Sequence, residues 1–365
     1  MKLVKKILKV LMWVAIAVVA VAIIGVGILT ITEYKPANVE EVIKYHPTEA
    51  VFSTGDELTL VTWNCGYGAL GDNADFFMDG GTSVYTADRD RVQQNLNGIA
   101  ATLREENADL ILLQEVDINS DRSYHTDERT VLKQAMPGGT DAFAYNFNAL
   151  YVPYPLPPIG HVESGLYTLS RADIRQADRM ALPTPFSWPI RTVNLKRCLL
   201  ITRIPLADSA NELVLINLHL EAYDSGEGKE AQTKALLSLL QSEYDKGNYV
   251  IAGGDFNQQF SNVSSPYRVD GAPWQPGNID EEDFLPDFSV WMNTDAATCR
   301  SLDKAYAGAN RDDFFCYMID GFIVSANVKV NEIRTLDTQF VYSDHNPVRM
   351  TVTLMPDEEE YAGRR

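Results

Sequence analysis

The longest apolar stretch of the chain lies near its N-terminus. From Val10 to Ile31 there are 22 consecutive residues without a charged side chain. At about 1.5 Å per helical residue, this length is enough to cross a hydrocarbon core of roughly 30 Å. Residues 1–32 are therefore predicted to form a cytoplasmic stub and a transmembrane signal anchor. A cleaved signal peptide is the alternative, although its apolar region is normally only about 7 to 15 residues long.

The charges that flank this stretch predict its orientation. Four lysines precede it, and Glu33 follows it. Because positively charged flanks stay in the cytoplasm, the N-terminus is expected inside the cell and everything after Thr32 outside. The prediction is a single-pass protein of the cell membrane, or a secreted protein if the N-terminal segment is cleaved.

After the apolar stretch, short apolar runs alternate with amphipathic segments. Residues 33–56 are polar and contain two prolines, which predicts an extracytoplasmic stalk. A single globular domain is expected at 57–355, followed by a polar tail at 356–365. The predicted strands of the domain are residues 58–64, 109–117, 165–170, 197–204, 212–220, 249–257, 317–325 and 347–354, and the predicted helices are residues 87–108 and 229–247.

Strands outnumber helices in this pattern. That ratio favours an α/β fold in which two sheets pack face to face with helices outside, over a single doubly wound sheet. The intervals 119–163, 172–195 and 260–312 are rich in proline, glycine and aromatic residues, and they are predicted to be surface excursions of the same domain.

Charge and cysteine content narrow the function. The formal net charge is −19, and because residues 1–32 hold four lysines and no acid, the exterior part carries −23. Such a surface does not capture nucleic acid by neutralising phosphates, although it leaves room for a small positive or metal-bound site. The four cysteines show no CxxC spacing, so a disulfide framework is not expected and at most one or two bridges could form.

Polar residues stand at the ends of the apolar strands. They are Asn64, Glu115, Asn217, His219, Asp255, Asn257 and Asp320, with Asp344 and His345 just before the last strand. If these strand ends share one sheet edge, their side chains converge. A cluster of oxygen ligands without thiolates suits Mg²⁺, Mn²⁺ or Ca²⁺, whereas Zn²⁺ recruits more histidine or cysteine.

The ordered motifs TWNCG, QEVD, NLHL, GGDFN, IDGFIVS and SDHNPV resemble those of the endonuclease/exonuclease/phosphatase superfamily of metal-dependent phosphodiesterases. The resemblance covers roughly residues 57–355, and it implies a four-layer α/β/β/α sandwich of two packed mixed β-sheets flanked by helices. It also implies a metal site in which Glu115 is the principal ligand, with Asn64 close to metal and phosphate and Asp344 able to contribute. Mg²⁺ is the expected cofactor, with Mn²⁺ or Ca²⁺ as alternatives.

The same resemblance assigns the catalytic residues. Asp255 and Asn257 are expected to position the water or the leaving oxygen, and His219 to bind the phosphoryl group or act as an acid. His345, oriented by Asp320, is expected to serve as general base or phosphate ligand. Adjacent side chains in an extended segment diverge, so the neighbouring Asp344 is a poorer partner for His345 than Asp320 is.

Two further residues receive open interpretations. Arg197 either faces the phosphate, since the family often has a basic or polar residue on that strand, or forms a surface salt bridge. Cys65 follows Asn64 and is predicted to be a buried thiol, not a nucleophile. The acidic loop at 72–81 either binds Ca²⁺ or is solvated, and solvation is favoured.

The expected substrate follows from the location, the tether and the acidity. They favour a phospholipid or sphingomyelin-like phosphodiester, or another small phosphate ester, over duplex DNA. The aromatic and proline-rich segments 151–160 and 183–192 either touch a bilayer or fold over the sheet edge. An extracellular metal-dependent nuclease, for which nucleic acid is only a substrate, is the first alternative, and a catalytically inactive surface binding module on the same fold is the second. The sequence indicates no obligate protein partner.

Overall fold

The computed structural model describes residues 2–267 and 269–356. All but the first residue of the predicted polar tail at 356–365 lies outside the described residues. Within these ranges the α-helices are α1 (Lys2–Ile31), α2 (Arg89–Glu106), α3 (Arg129–Leu132) and α4 (Glu227–Tyr244). The strands of the same ranges are β1 (Val39–Glu41), β2 (Lys44–Tyr45), β3 (Glu57–Asn64), β4 (Leu110–Asp117), β5 (Thr140–Val152), β6 (Gly160–Ser170), β7 (Gln176–Ala181), β8 (Cys198–Pro205), β9 (Glu212–His219), β10 (Tyr249–Asp255), β11 (Gln258–Phe260), β12 (Gly277–Ile279), β13 (Phe288–Trp291), β14 (Cys299–Arg300), β15 (Cys316–Tyr317), β16 (Asp320–Ser325), β17 (Val328–Thr335) and β18 (Val348–Leu354).

Two large mixed sheets carry the domain. In the described residues, one sheet has the order β17-β18-β3-β4-β6-β5-β2 and the other has the order β1-β7-β8-β9-β10-β16-β13. In each sheet one central pair is parallel, β3 with β4 and β9 with β10. A parallel pair needs a crossover connection, which α2 provides between β3 and β4, and α4 between β9 and β10.

The two sheets face each other across a hydrophobic core. Leu112 of β4 points inward and joins the same buried cluster as Leu215 of β9. Because successive strand residues point to opposite faces, the neighbouring Ile111 points outward and packs with Leu96 of α2. On the far side, Leu240 of α4 covers the second sheet. The predicted four-layer α/β/β/α sandwich is confirmed.

The excursions contain strands that the apolar pattern did not reveal. The prediction of a surface excursion at 119–163 is wrong for β5, the one at 172–195 is wrong for β7, and the one at 260–312 is wrong for β13, which pairs with β16. In β5 a buried acid interrupts the apolar alternation. Asp141 accepts a hydrogen bond from the hydroxyl of Tyr167 at 2.9 Å, and this partner makes its burial tolerable. Polar residues with such partners do not stand out as strand residues in the sequence.

One strand begins where the sequence suggested that it ends. The segment 317–325 is not one continuous strand, because residues 318 and 319 separate β15 from β16. Asp320 therefore opens β16 instead of closing a strand. Since β16 runs antiparallel to β10, Asp320 lies directly opposite Asp255 in the register. The expected convergence of the two carboxylates holds despite the reversed strand end.

The segment before the domain is integrated into the sheets. Of residues 33–56, predicted to be a stalk, β1 pairs with β7 at the edge of one sheet and β2 pairs with β5 at the edge of the other. The four cysteines are free thiols in the described residues, and Cys65 is buried, as predicted.

Helix α1 has the length and composition of a membrane span. It contains 30 residues, and none of its described side chains is buried against the rest of the molecule. A signal sequence at an N-terminus has the same properties, so the orientation in a membrane stays a prediction. The C-terminal end of α1 contacts the segment 183–192, where Nε1 of Trp188 donates to Oγ1 of Thr30 at 3.0 Å.

Candidate active site at the strand ends

The ends of the two parallel strand pairs meet at one edge of the sandwich. Asn64, the last residue of β3, donates through Nδ2 to Oε1 of Glu115 and to Oδ2 of Asp255, each at 3.1 Å. Glu115 belongs to the first sheet and Asp255 to the second. This amide therefore links the two sheets at the point where the sequence predicted their polar residues to converge.

Glu115 is held in an unusual backbone conformation. The register between β4 and β6 shifts between Leu113 and Val116, and Glu115 has a φ of +53°. A left-handed conformation costs a residue with a Cβ atom about 1–3 kcal/mol and is common where function requires it. The bulge turns the carboxylate toward the cavity at the sheet edge, whose wall it helps to form.

Two histidines flank the carboxylate of Asp255. Nε2 of His219 lies 3.4 Å from Oδ2 of Asp255, and Nε2 of His345 lies 3.8 Å from the same atom. On its other side, Nδ1 of His345 donates to Oδ2 of Asp320 at 2.9 Å. The predicted partnership between Asp320 and His345 is present, and it fixes which ring nitrogen of His345 faces the cavity.

The two histidines are pushed toward opposite protonation states. Burial lowers the pKa of His345, yet the charge and hydrogen bond of Asp320, with the charge of Asp344 added, together raise this pKa well above its usual value. Burial, the charge of Arg197 and that of His345 hold the pKa of His219 well below its usual value. At neutral pH the site thus pairs a cationic His345 with a neutral His219, an arrangement that separates acid and base roles.

The carboxylates of the site carry more negative charge than the protein balances. Burial, followed by the charge of Asp320, raises the pKa of Asp255 to about 7. Burial also raises the pKa of Asp344 to about 6, to which the charge of Glu115 contributes. Buried acids with such raised pKa values are stabilised in their charged form by a nearby cation.

The residues present fit a divalent metal ion. Glu115 and Asp344 line the cavity with carboxylate oxygens, and hard oxygens are the ligands of Mg²⁺ and Ca²⁺. Asn64 lies behind them, where its Nδ2 donates to Glu115 and its Oδ1 accepts from the backbone N–H of Gly66 at 3.0 Å. A thiol also lies near, since Cys299, Asp344 and His345 place ligand atoms within 4.8 Å of one another. Burial raises the pKa of Cys299 to about 12, so this thiol is protonated in the metal-free site.

Arg197 and Asn257 act on their neighbours through buried hydrogen bonds. Nη1 of Arg197 donates to the carbonyl of His219 at 3.0 Å, and Nε donates to Glu221 at 3.3 Å. Arg197 therefore forms a buried ion pair that positions His219, in place of the surface salt bridge considered from the sequence. The backbone N–H of Asn257 donates to Oδ1 of Asp255 at 2.9 Å, and its side chain donates to the carbonyl of Leu220 at 2.9 Å.

A cavity of about 730 Å³ opens at this edge. Of the predicted site residues, those on its wall are Glu115, Arg197, His219, Asp255, Asn257, Asp344 and His345, while Asn64 and Asp320 lie behind them. Aromatic side chains supply much of the remaining wall, among them Tyr67, Phe76, Phe77, Phe147, Tyr154, Phe186, Tyr223, Trp274 and Tyr317. The site is thus a polar floor within an apolar and aromatic pocket.

Sequence reasoning missed several of these wall residues. The loop at 72–81 is not simply solvated, because Phe76, Phe77, Met78 and Asp79 line the cavity. Three consecutive apolar residues in an otherwise acidic loop were a signal of this burial. Arg122, whose guanidinium lies 3.7 Å from the ring centre of Tyr67, gave no such signal.

Comparisons with known proteins agree with the fold. The family model for the Endonuclease/Exonuclease/phosphatase family matches residues 61–345. An endonuclease/exonuclease/phosphatase structure from Beutenbergia cavernae is similar with a TM-score of 0.56 at 17% identity, covering 82% of this chain and 72% of that one. One from Bacteroides vulgatus has a TM-score of 0.52 at 14% identity, covering 82% of this chain and 99% of its own. At these identities the structural neighbours show the fold alone, and no curated protein sequence matches this one significantly.

Proposed function

Because the chain belongs to the endonuclease/exonuclease/phosphatase family, we propose that it is a Mg²⁺-dependent phosphodiesterase. In this proposal the protein is anchored in the cell membrane by α1, with the domain outside, and hydrolyses a phospholipid-like or sphingomyelin-like phosphodiester. The observation that carries the proposal is the polar floor of unbalanced carboxylates and two histidines at the base of an apolar cavity. In a phospholipid, the phosphodiester matches the polar floor and the lipid part matches the apolar cavity.

The proposed reaction is attack of water on phosphorus, with formation of one P–O bond and cleavage of another. Asp255 accepts the proton of the water, since its pKa of about 7 suits a general base near neutral pH. Asn64 and the backbone N–H of Asn257 hold this carboxylate in place. A bound divalent cation supplies stabilisation of the negative charge on the phosphoryl oxygens, and Glu115, Asn64 and Asp344 are the residues that would hold it.

The histidines complete the phosphate site. Cationic His345 donates from Nε2 to a phosphoryl oxygen, a charge-assisted hydrogen bond of roughly twice the usual strength. Of the two roles considered from the sequence, the raised pKa of His345 favours phosphate ligand over general base. His219 remains neutral and donates its ring N–H, while Arg197 holds its backbone.

The position of the anchor supports a substrate that resides in the membrane. Leu156 and Trp188 are 88% and 55% exposed, and Tyr154 and Ile190 of the same two segments are exposed where they line the cavity. Trp188 also bonds to Thr30 at the end of α1. Aromatic side chains settle at the membrane–water interface. A membrane around α1 would therefore lie beside the mouth of the cavity.

An ion-pair cluster joins Glu33, just after α1, to Arg191 and Lys196, in and after the segment 183–192. The carboxylate of Glu33, whose side chain is only 3% exposed, lies 3.4 Å from Nε of Arg191 and 3.1 Å from Nζ of Lys196. A partly buried network restrains the orientation of α1 more than a flexible linker does. This restraint supports a cavity that keeps one face toward the bilayer.

An extracellular nuclease is the second candidate, and the charge distribution disfavours it. The part of the chain after residue 32 carries −23. Arg122 and Arg197 on the cavity wall are already paired with Asp117 and Glu221. Binding of a nucleic-acid backbone requires available cations.

The proposal is tested with the purified full chain in detergent and in liposomes. With Mg²⁺ present, we expect turnover of sphingomyelin or phosphatidylcholine, and loss of turnover in His345→Ala. Salt-sensitive cleavage of plasmid DNA without lipid turnover would establish the nuclease instead. Equal background rates for the wild type and His345→Ala on bis(4-nitrophenyl) phosphate would establish an inactive binding module.

A further inference from the structure

One wall of the cavity combines a carboxylate with three aromatic side chains. The aromatic–acid wall consists of Asp79, Tyr223, Trp274 and Tyr317, which come from four separate segments and all line the cavity. The hydroxyl of Tyr223 lies 3.4 Å from Oδ1 of Asp79. The rings of Trp274 and Tyr317 pack edge to face with centroids 5.0 Å apart. The proposed hydrolysis uses none of these residues.

Internal contacts fix this wall. Nε1 of Trp274 donates to the carbonyl of Ala222 at 2.9 Å, next to Tyr223. The hydroxyl of Tyr317 donates to the carbonyl of Trp274 at 3.2 Å. Because backbone carbonyls engage the polar atoms of both rings, their apolar ring surfaces are what remain for a ligand in the cavity. The rings therefore form a preorganised surface of the kind that lowers the cost of binding.

The electrostatics of the wall favour a positively charged ligand. Burial raises the pKa of Asp79 to about 7, and the charges of Asp344 and Glu115 add to this effect. A cation placed here would meet the Asp79 carboxylate, the field of the other acids and aromatic rings, whose faces attract cations. The wall thus offers a cation one carboxylate and several aromatic rings.

The chemistry of the wall distinguishes between kinds of cation. A Ca²⁺ ion takes six to eight oxygen ligands and Mg²⁺ takes six in octahedral geometry, whereas this wall offers one carboxylate and two phenol oxygens. A quaternary ammonium group is weakly hydrated and needs no directed ligands, and aromatic faces with a nearby carboxylate are its usual surroundings. An organic cation fits where a second metal ion does not.

We propose that the aromatic–acid wall is a subsite for a quaternary ammonium group in the headgroup alcohol that is esterified to the substrate phosphate. The inference rests on the proposed phosphodiesterase and narrows its substrate to diesters with a choline-like headgroup. The headgroup stays on the phosphoryl group, the water oxygen bonds to phosphorus, and the bond from phosphorus to the lipid oxygen breaks. The lipid oxygen takes up one proton in exchange for the proton that Asp255 removes from the water. The products are a phosphorylated ammonium alcohol and a lipid alcohol, which leaves toward the exposed segments that contain Leu156 and Trp188.

The test compares two chromogenic diesters that differ only in charge. The first is 4-nitrophenyl phosphorylcholine, and the second is 4-nitrophenyl 3,3-dimethylbutyl phosphate, in which carbon replaces the ammonium nitrogen. With the full chain in detergent and Mg²⁺, we expect kcat/KM to favour the choline ester by about tenfold or more. Asp79→Asn and Trp274→Leu should bring this ratio toward one while changing the rate on the uncharged analogue less than about threefold.

Two control variants separate the wall from general effects. Asp90→Asn removes an equivalent charge from the exposed start of α2 and should leave the ratio unchanged. Tyr223→Phe keeps the ring and should retain most of the preference. Equal loss on both diesters in Asp79→Asn would mean that Asp79 supports the metal site, and this would overturn the subsite.

The outcomes for the subsite and for the enzyme differ. Equal wild-type rates on the two diesters would overturn the subsite and leave the phosphodiesterase standing. If neither diester is hydrolysed, the proposed phosphodiesterase activity is refuted. The subsite is then tested by adding phosphocholine to the protein and following its tryptophan fluorescence. Saturable binding that is weakened in Asp79→Asn supports the subsite, and its absence in the wild type overturns it. If a variant fails to fold, the subsite is tested in the wild type by competition: choline should displace phosphocholine, and failure to do so overturns the subsite.

Discussion

Replacing Asp320 with asparagine removes the charge that sustains the cationic state of His345. The carboxylate accepts from Nδ1 of His345 at 2.9 Å, and both side chains are buried. Asparagine has nearly the same shape, and its amide oxygen can still accept this hydrogen bond. The substitution therefore leaves the ring in place and changes mainly the free energy of its protonated form.

The size of the change follows from the pair's geometry. Two unit charges about 4 Å apart attract by about 4 kcal/mol at an effective dielectric constant of about 20. The loss expected for Asp320→Asn is smaller than this attraction, because the amide dipole replaces part of it. A hydrogen bond to a charged group contributes about 1.5–3 kcal/mol, and each 1.36 kcal/mol changes a rate about tenfold. We expect kcat/KM at neutral pH to fall by about 10- to 200-fold.

The direction of the pH effect is specific. If cationic His345 binds the phosphate, activity persists at pH values below its folded-state pKa and declines above it. Loss of the Asp320 charge lowers this pKa, so the alkaline decline should begin at lower pH in Asp320→Asn. The assay is kcat/KM on bis(4-nitrophenyl) phosphate between pH 5 and pH 9 at fixed Mg²⁺, with circular dichroism to verify folding. Asp90→Asn, at the exposed start of α2, serves as the charge control.

The result that refutes this reasoning is a uniform loss of rate with no displacement of the alkaline limb. Such a result from a folded variant would mean that Asp320 only orients the ring. An unchanged rate and an unchanged profile would remove His345 from the phosphate site altogether.

Three further predictions concern the metal and the membrane. Glu115→Gln should weaken Mg²⁺ binding at least about tenfold by calorimetry while keeping the fold, and unchanged affinity would remove Glu115 from the metal site. The raised pKa values of Asp255 and Asp344 make the metal-free folded state bind more protons than the unfolded state between about pH 4 and 7. The stability of the metal-free protein should therefore decrease as pH rises through this window. Mg²⁺ should raise the melting temperature more at pH 8 than at pH 5, and an equal rise at both would contradict this. Trp188→Ser with Ile190→Ser should reduce turnover of lipid in vesicles several-fold and leave turnover of a soluble diester unchanged, whereas equal loss on both would indicate a structural role for the segment.

Much of the fold could be predicted because its central strands are apolar on both faces. The sequence signal for β3, β4, β9 and β10 is a continuous apolar run, which is typical of strands covered by a second sheet and by helices. Helix α2 shows regular spacing, with Val92, Leu96, Ile99 and Leu103 buried on one face. The edge strand β1 and the long strand β5 have no comparable signal, because their residues face solvent or carry buried polar partners.

The polar floor could be predicted, and its surroundings could not. Asn64 and Asp255 end parallel strands, and such strand ends define a sheet edge, so their meeting follows from local pattern plus topology. Asp79, Trp274 and Tyr317 come from loops or short strands with no periodicity, and only the folded chain brings them to one wall. The left-handed backbone of Glu115 was likewise hidden, since a bulge depends on the register with the neighbouring strand.

The acidity of the domain and the chemistry of its cavity are consistent with one kind of substrate. A surface that carries −23 after residue 32 repels polyanions such as DNA or highly phosphorylated lipids, and at 0.15 M salt this repulsion acts within about 8 Å. A diester with an ammonium headgroup has no net charge, so it approaches without this repulsion. Within the site, a divalent cation would offset the phosphate charge and Asp79 would offset the ammonium. The excess of acidic residues therefore disfavours nucleic acid at the surface. At the cavity, the same excess favours a zwitterionic ester over an anionic one.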